Sequence, residues 1–183
     1  LTALEHPTQG IADLMTIKEK KGGYKGLKLA YSGNFYNVCY TTMIFCATLG
    51  IDMYLACPEG LEPDKDILEE TMRRAGQSGA KIVFSRDFDE VLKDADIVYG
   101  MSQYSMGQTE EEIADLKAKF LPYQITMDAM RKAKDDAIFM HCLPAHRGEE
   151  VTDEVMECSQ SVIFDEGENR MHSIKGILAA VCN

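Results

Sequence analysis

The chain of 183 residues lacks the features that would assign it to a membrane or to nucleic acid. No apolar run approaches the length of a membrane-spanning helix, and we expect no signal peptide in the first residues given. Basic residues are outnumbered, with 19 Lys and Arg against 30 Asp and Glu and a formal net charge of -11. Because broad nucleic-acid binding needs a basic face and a membrane span needs a long apolar run, we expect neither a nucleic-acid nor a membrane partner.

The chain contains cysteines but no paired cysteine motif. The six cysteines show no C-x-x-C spacing, and several lie inside apolar segments. This usage indicates reduced thiols rather than a disulfide framework or a zinc site, so we expect a cytoplasmic protein. They are Cys39, Cys46, Cys57, Cys142, Cys158 and Cys182.

A complete G-x-G-x-x-G turn is the third absence. A predicted strand at 27–31, the turn Ser32-Gly33-Asn34 and an apolar helix at 36–49 are typical of the opening of a dinucleotide-binding fold. The turn has a single glycine, and Cys57-Pro58 at the end of the second strand supplies no acidic residue. These two departures argue against an NAD site.

Short apolar strands alternate with helices along the chain. This alternation predicts an α/β fold, in which a parallel sheet of about five strands is covered by helices on both faces in a Rossmann-like way. We predict strands at 27–31, 53–56, 81–84, 96–99, 137–140 and 161–164. We predict helices at 10–20, 36–49, 64–76, 88–93, 110–120 and 124–134, and a final helix from residue 165.

The stretch 139–150 concentrates reactive side chains at the end of a predicted buried strand. His141 and Cys142 follow the apolar run directly, and Pro144 breaks the strand. In a parallel sheet this position opens into the crevice where ligands bind. The alternative is a buried strand end in which Cys142 is only a small apolar residue. A cysteine hydrolase is disfavoured, because neighbouring residues of a strand point to opposite faces.

The loop 100–109 is the second unusual stretch. It is polar, contains glycine and follows a predicted strand, which favours a mobile loop at the same crevice. An ordinary connection between strand and helix is the alternative interpretation. Three glutamates at 110–112 then suit a helix N-terminus.

Five motifs together resemble the aspartate/ornithine carbamoyltransferase family, in the family's order and over essentially the whole chain. Each motif alone is weak, but five in order are specific. They are His6-Pro7-Thr8-Gln9, Asn37-Val38, Ser105-Met106-Gly107-Gln108, His141-Cys142-Leu143-Pro144 and Glu168-Asn169-Arg170.

The resemblance implies a two-domain enzyme that forms a homotrimer. Its first domain binds carbamoyl phosphate through a Ser-x-Arg-Thr motif, which does not occur in this chain. We therefore expect residues 1–183 to be the second, amine-binding domain, with linking helices at 7–20 and 168–182 and the carbamoyl-phosphate domain absent. On this expectation the chain alone turns over little substrate, and its two linking helices expose apolar stripes.

The resemblance also implies a reaction, in which the amine of ornithine attacks carbamoyl phosphate to give citrulline and phosphate. It assigns His6 and Gln9 to the carbamoyl group and Arg170 to an oxyanion or phosphate oxygen. Cys142 is expected beside the amine nitrogen, and the carbonyl of Leu143 as an acceptor for the carbamoyl NH2. No cofactor and no metal are implied, because carbamoyl phosphate is already activated.

Two of these residues have simpler alternatives. Taken alone, His6 is equally consistent with a surface residue that caps a helix. Arg170 alone is interpreted as well by a solvated charge that pairs with Glu166 or Glu168.

The amine itself is the open question. The resemblance assigns Asn37, Ser105 and Met106 to ornithine. However, Met101 stands where ornithine enzymes carry an aspartate, and Gln103 where they carry a tryptophan. The tail after Pro144 is closer to putrescine enzymes. Ornithine is our leading hypothesis, with putrescine or another small amine, or a non-catalytic binding remnant, as alternatives.

Overall fold

A computed structural model describes residues 2–105 and 107–182, and its centre is a parallel five-stranded sheet. The strand order is β3-β2-β1-β4-β5, and every neighbouring pair is parallel. The predicted sheet is therefore confirmed. The strands are β1 Lys28–Ser32, β2 Asp52–Ala56, β3 Ile82–Ser85, β4 Ile97–Gly100 and β5 Ile138–His141.

Eight α-helices connect and cover the strands over the described residues. Within that part of the chain, no helix is long and apolar enough to cross a membrane. The helices are α1 Pro7–Lys21, α2 Asn37–Leu49, α3 Lys65–Ser78, α4 Phe88–Leu92, α5 Glu110–Phe120, α6 Met127–Met130, α7 Asp153–Glu157 and α8 Ile163–Val181.

Alternate residues of the strands feed two separate apolar layers. Leu29 and Tyr31 of β1 point into the layer that α2 closes, where Tyr31 stacks on Tyr99 with ring centroids 5.8 Å apart. Ala30, between them, points into the opposite layer with Phe139 and Val155. Because side chains of a strand alternate between faces, both faces of this sheet need a cover of helices, as predicted.

The predicted sixth strand at 161–164 is wrong. Ser161 makes only an isolated parallel bridge with Phe139, and α8 begins two residues later at Ile163. Phe139 exchanges two backbone hydrogen bonds with this segment, from its N–H to Gln160 and to its carbonyl from Val162. The next N–H bonds are helical, because Glu166 donates to Val162. The apolar run resembles a strand but buries Ile163 as the first residue of a helix.

The predicted helix at 124–134 is much shorter in the structure. A 3-10 turn at Leu121–Tyr123 comes first, and Gln124 is extended. Ile125 pairs with Val151 in a single parallel bridge instead of entering a helix. The helix α6 starts only after Thr126, whose side chain accepts a hydrogen bond from the N–H of Ala129.

The first and last helices pack against each other through polar side chains. On α1 the buried polar residues are Gln9, Asp13 and Thr16, and on α8 they are Glu166, Asn169 and Ser173. Asn169 donates to Thr16 Oγ1 at 2.9 Å and to Glu19 at 2.8 Å. Buried polar groups need partners, so these two helices supply them to each other.

Candidate active site

A pocket of about 430 Å³ opens at the carboxyl ends of β4 and β5. The loops 101–109 and 142–150 form its walls, as expected for a doubly wound sheet. Of the predicted site residues, Ser105, Cys142 and Leu143 line this pocket. Its other lining residues include Met101, Tyr104, Pro144 and His146.

The wall after β4 is anchored on the turn that follows β1. Asn34 donates its side-chain amide to the carbonyl of Gln103 at 2.8 Å. Gly33, with φ of 151°, lies so close to Met101 that a Cβ there would be 2.5 Å from the Met101 Cβ. Only glycine fits this approach, so the single glycine of the turn serves packing rather than a nucleotide. Ser105 is exposed and donates its N–H to Gln108 Oε1 at 2.7 Å.

One predicted binding residue, Met106, lies outside the described residues. Another, Asn37, is the first residue of α2 and does not line the pocket. Its side-chain oxygen accepts from the N–H of Val38 at 2.8 Å, and its amide donates to the carbonyl of Thr2 at 2.8 Å. Asn37 therefore holds the residues before α1 against the start of α2.

The wall after β5 carries Cys142 at its base. The Cys142 Sγ lies 3.3 Å from Met101 Sδ, so the two sulfur atoms join the walls. Burial raises the pKa of the Cys142 thiol above its usual range, and the nearby carboxyls of Glu166 and Asp13 add to that effect. A thiol held in its protonated form is a poor nucleophile, which is a further argument against a cysteine hydrolase.

His6, Gln9 and Arg170 form a second group, beside the pocket rather than in its lining. His6 caps α1, with Nδ1 accepting from the N–H of Gln9 at 3.3 Å. Burial lowers the pKa of His6, and the charge of Arg170 lowers it further, so a neutral ring is favoured. Arg170 donates to Gln9 Oε1, and its own Nε is buried without a partner among the described residues. Glu168, a proposed partner of Arg170, instead faces His172 at 3.2 Å.

Two buried carboxyl groups that we did not predict lie under this group. The Gln9 amide donates to Asp13 at 2.7 Å and to Glu166 at 3.2 Å. Tyr99 donates its hydroxyl to Asp13 at 3.1 Å, and the backbone N–H of His141 donates to Glu166 at 2.9 Å. This network therefore joins α1, α8 and the ends of β4 and β5.

Burial also sets the protonation of these carboxyl groups. It raises the pKa of Asp13 to about 6, against hydrogen bonds from Gln9, Glu166 and Tyr99 that lower it. It raises the pKa of Glu166 further above the usual range, and the charge of Asp13 adds to this. Two carboxyl groups in contact cannot both ionise at low cost, so the pair holds a proton. A polar residue at every helical turn, at positions 9, 13 and 16 and again at 166, 169 and 173, was the sequence signal for this network.

One cluster has the donor set of a divalent cation site. His146, Glu149 and Glu150 offer ligand atoms that all lie within 4.8 Å of one another. The ammonium group of Lys117 lies 2.7 Å from Glu149, so one carboxylate already has a cationic partner.

A doubly wound parallel sheet with a loop-walled pocket at its carboxyl edge defines a ligand-binding α/β domain. The family model described as aspartate/ornithine carbamoyltransferase, Asp/Orn binding domain, matches residues 25–181. The chain belongs to this family.

Individual relatives agree with that assignment. The chain is 47% identical over 178 residues to the catabolic ornithine carbamoyltransferase of Thermoplasma volcanium, covering 97% of this chain and 58% of that protein. It is 46% identical over 179 residues to the ornithine carbamoyltransferase of Pyrococcus horikoshii, covering 98% and 56%. The solved ornithine carbamoyltransferase of Pyrococcus furiosus superposes with a TM-score of 0.91 at 45% identity, over 97% of this chain and 56% of that one. The chain thus spans little more than half the length of these relatives.

Proposed function

We propose that this chain is the ornithine-binding half of an enzyme that transfers the carbamoyl group of carbamoyl phosphate to ornithine, giving citrulline and phosphate. The observation that carries the proposal is the pocket between the loops 101–109 and 142–150, in a chain of this family. Curated relatives that match nearly the whole chain are named ornithine carbamoyltransferase, and this favours ornithine over aspartate.

The chemistry requires an uncharged amine in line with the carbonyl carbon. Attack forms the new C–N bond, the C–O bond to phosphate breaks, and the amine loses its proton. In our proposal the carbonyl of Leu143 accepts from the carbamoyl NH2, and the Cys142 thiol borders the amine. Asn37, Ser105 and Met106 are proposed contacts of ornithine.

His6, Gln9 and Arg170, the group beside the pocket, would act on carbamoyl phosphate and not on the amine. His6 and Gln9 are proposed to hydrogen-bond the carbamoyl group, while Arg170 binds an oxyanion or a phosphate oxygen. Support for this is the hydrogen-bonded contact of Gln9 with Arg170 and the unpartnered Arg170 Nε. No step of the proposal uses a cofactor or a metal.

The organisation of the enzyme is part of the same proposal. Residues 1–183 would be the amine-binding domain, with α1 and α8 as its connections to a carbamoyl-phosphate domain, in a cytoplasmic homotrimer. Support for this is the coverage of little more than half of each relative.

Calorimetric titration of the chain with L-ornithine, putrescine and L-aspartate tests the substrate. We expect ornithine to bind with a Kd at least tenfold below those of the other two. Selective binding of putrescine would replace ornithine by a diamine, the alternative that the tail after Pro144 favours. Binding of none of them would favour the non-catalytic remnant.

A turnover assay tests whether the phosphate site belongs to another domain. With carbamoyl phosphate and ornithine present, we expect the 183-residue chain alone to form no measurable citrulline, because the Ser-x-Arg-Thr phosphate motif is not in it. Citrulline formation by the chain alone would contradict the assignment of the phosphate site to another domain.

A further inference from the structure

Three side chains that can bind a metal ion converge in the loop that follows Pro144. His146, Glu149 and Glu150 each offer one nitrogen or oxygen atom, and these three atoms lie within 4.8 Å of one another. His146 Nδ1, Glu149 Oε2 and Glu150 Oε2 are all buried without a hydrogen-bond partner among the described residues. Buried polar atoms normally have partners, so three such atoms in one loop need an explanation.

The neighbouring groups bind the other oxygen of each carboxylate. Lys117 Nζ lies 2.7 Å from Glu149 Oε1. The backbone N–H of His146 donates to Glu150 Oε1 at 2.6 Å. Each carboxylate therefore has one bound oxygen and, within the described part of the chain, one oxygen without a partner. Glu150 is only 2% exposed, so bulk water does not reach its second oxygen.

The spacing and the chemistry of these atoms suit a metal ion. His146 Nδ1 lies 3.5 Å from Glu150 Oε2, and two ligands about 2.1 Å from one ion are about 3.4 Å apart in tetrahedral coordination. An imidazole nitrogen with two carboxylate oxygens is a donor set for a divalent transition metal, whereas Mg²⁺ and Ca²⁺ take oxygen ligands. The side chains of Glu149 and His146 are 30% and 37% exposed, which leaves an entrance for the ion.

Hydrogen bonds of the backbone hold the three ligands in this arrangement. The Glu149 N–H donates to the His146 carbonyl at 3.0 Å. The Gln124 amide donates to the carbonyls of Gly148 and Glu149 at 2.8 and 2.9 Å. A loop fixed in this way brings the ligands together before an ion arrives, which lowers the entropic cost of binding.

We propose that His146, Glu149 and Glu150 form a binding site for one divalent transition-metal ion, of which Zn²⁺ fits the donor set, with water as the fourth ligand. The site lies outside the reaction proposed above, so the role of the ion is structural. The His146 ring lines the pocket and packs on Tyr104 in the opposite wall, with ring centroids 5.0 Å apart. An ion on His146 therefore restrains the contact between the two walls.

A cluster that Lys117 alone neutralises is the alternative. In that arrangement an added ion does not bind, whatever residue stands at position 117. In the proposed site the ammonium group of Lys117 competes with the ion for Glu149. Lys117→Met removes the ammonium group and keeps the length of the side chain, so it should lower the Kd for Zn²⁺ about threefold.

The test is calorimetric titration of the 183-residue chain with Zn²⁺, repeated with Mg²⁺. We expect one Zn²⁺ per chain with a Kd below about 10 μM and at least tenfold weaker binding of Mg²⁺. His146→Phe keeps a ring against Tyr104 and removes the nitrogen, while Glu150→Gln keeps an oxygen for the His146 N–H and removes the charge. Each variant should raise the Kd for Zn²⁺ at least tenfold, because it removes a ligand.

The matched control is His172→Phe, which removes the other pair of histidine and glutamate with a contact of 3.2 Å, between His172 and Glu168 on α8. It should leave the Kd for Zn²⁺ within about twofold of the wild-type value, because an exposed pair of this kind is not a site. Circular dichroism checks that each variant is folded.

Co²⁺ in place of Zn²⁺ identifies the ligands, because a thiolate ligand gives a charge-transfer band in the near ultraviolet and nitrogen and oxygen ligands do not. We expect the visible bands of a tetrahedral ion without that band, and their loss in His146→Phe. A thiolate band would assign the ion to a cysteine and overturn the proposal. So would a wild-type chain that binds no Zn²⁺, or an unchanged Kd in folded His146→Phe and Glu150→Gln chains. Equal binding of Mg²⁺ would overturn the assignment to a transition metal.

Discussion

At the scale of single residues, Met101 is one of the two positions, with Gln103, where this chain differs from the ornithine-enzyme pattern that the sequence analysis used. Its sulfur contacts Cys142 at the floor of the pocket, where a carboxylate would face the ammonium of an amino acid. We predict that Met101→Asp lowers the Kd for ornithine about tenfold, because a hydrogen bond to a charged group contributes roughly 1.5–3 kcal/mol. Calorimetry measures this.

The control for that change is Met101→Asn, which has the same size without the charge. It should leave the ornithine Kd within about threefold of wild type. An equal effect of both substitutions would show that charge at position 101 does not select the amine.

Cys142 allows a second prediction at this scale. Because burial raises the pKa of its thiol and leaves little thiolate at pH 8, it should react with iodoacetamide at least tenfold more slowly than the exposed Cys182. Mass spectrometry of the peptides after timed alkylation separates the two cysteines. Faster alkylation of Cys142 than of Cys182 would contradict this prediction and support Cys142 as a reactive nucleophile.

At the same scale, the sequence predicted some residues of the site and missed others. Cys142 and Leu143 could be placed at the pocket because a strand end followed by proline has one location in a parallel sheet. Glu166 could not, because a glutamate in a helix is usually solvated. Only the packing of α1 on α8 shows that this carboxyl group is 1% exposed.

At the scale of elements, the contact between α1 and α8 makes stability depend on pH. The folded pKa of Asp13, about 6, and that of Glu166 are both above the unfolded values near 4. The folded chain therefore binds more protons than the unfolded chain as pH rises above about 4. We predict that the free energy of unfolding falls between pH 4 and pH 7, by roughly 3 kcal/mol for Asp13 alone at about 1.4 kcal/mol per pKa unit.

Glu166→Gln resembles the protonated carboxyl group, with an oxygen for the N–H of His141 and an amide for Asp13. At pH 7 we expect it to be more stable than wild type by about 1–3 kcal/mol, and at pH 4 to be nearly equal. Urea unfolding at both pH values measures this. Glu168→Gln, at an exposed position of the same helix, should change neither value by more than about 0.5 kcal/mol. A loss of stability in Glu166→Gln at pH 7 would contradict the raised pKa.

Element boundaries were harder to predict than the elements themselves. Each of the five strands was predicted within about one residue of its observed bounds, because a short apolar run between helices is typical of a buried parallel strand. The segment 161–164 has the same composition, but β5 has room for only an isolated bridge at Ser161, and the chain turns into α8. Tertiary contacts that are distant in sequence made that choice.

At the scale of the whole molecule, α8 exposes an apolar stripe. Met171, Ile174, Leu178 and Val181 follow each other at intervals of three and four residues, with exposures of 50%, 37%, 53% and 71%. An apolar surface of this kind favours association. We predict that the chain self-associates at high concentration and that Leu178→Glu lowers the association constant at least tenfold in analytical ultracentrifugation.

The matched control is Leu121→Glu, since Leu121 is 69% exposed but belongs to the 3-10 turn after α5 and not to α8. It should leave association unchanged. A wild-type chain that remains monomeric at every concentration would show that the stripe of α8 does not bind a second copy.

Glu166 couples the motions of α8, α1 and the end of β5. One of its carboxyl oxygens accepts from Gln9 on α1 and the other from the backbone of His141, the last residue of β5. If α8 rotated enough to break one of these bonds, it would leave a buried polar group without its partner, at a cost of about 1–3 kcal/mol. The low-energy displacements of α8 are therefore those in which α1 and the end of β5 move with it, so a force applied to the last helix is transmitted to the strand end next to the pocket.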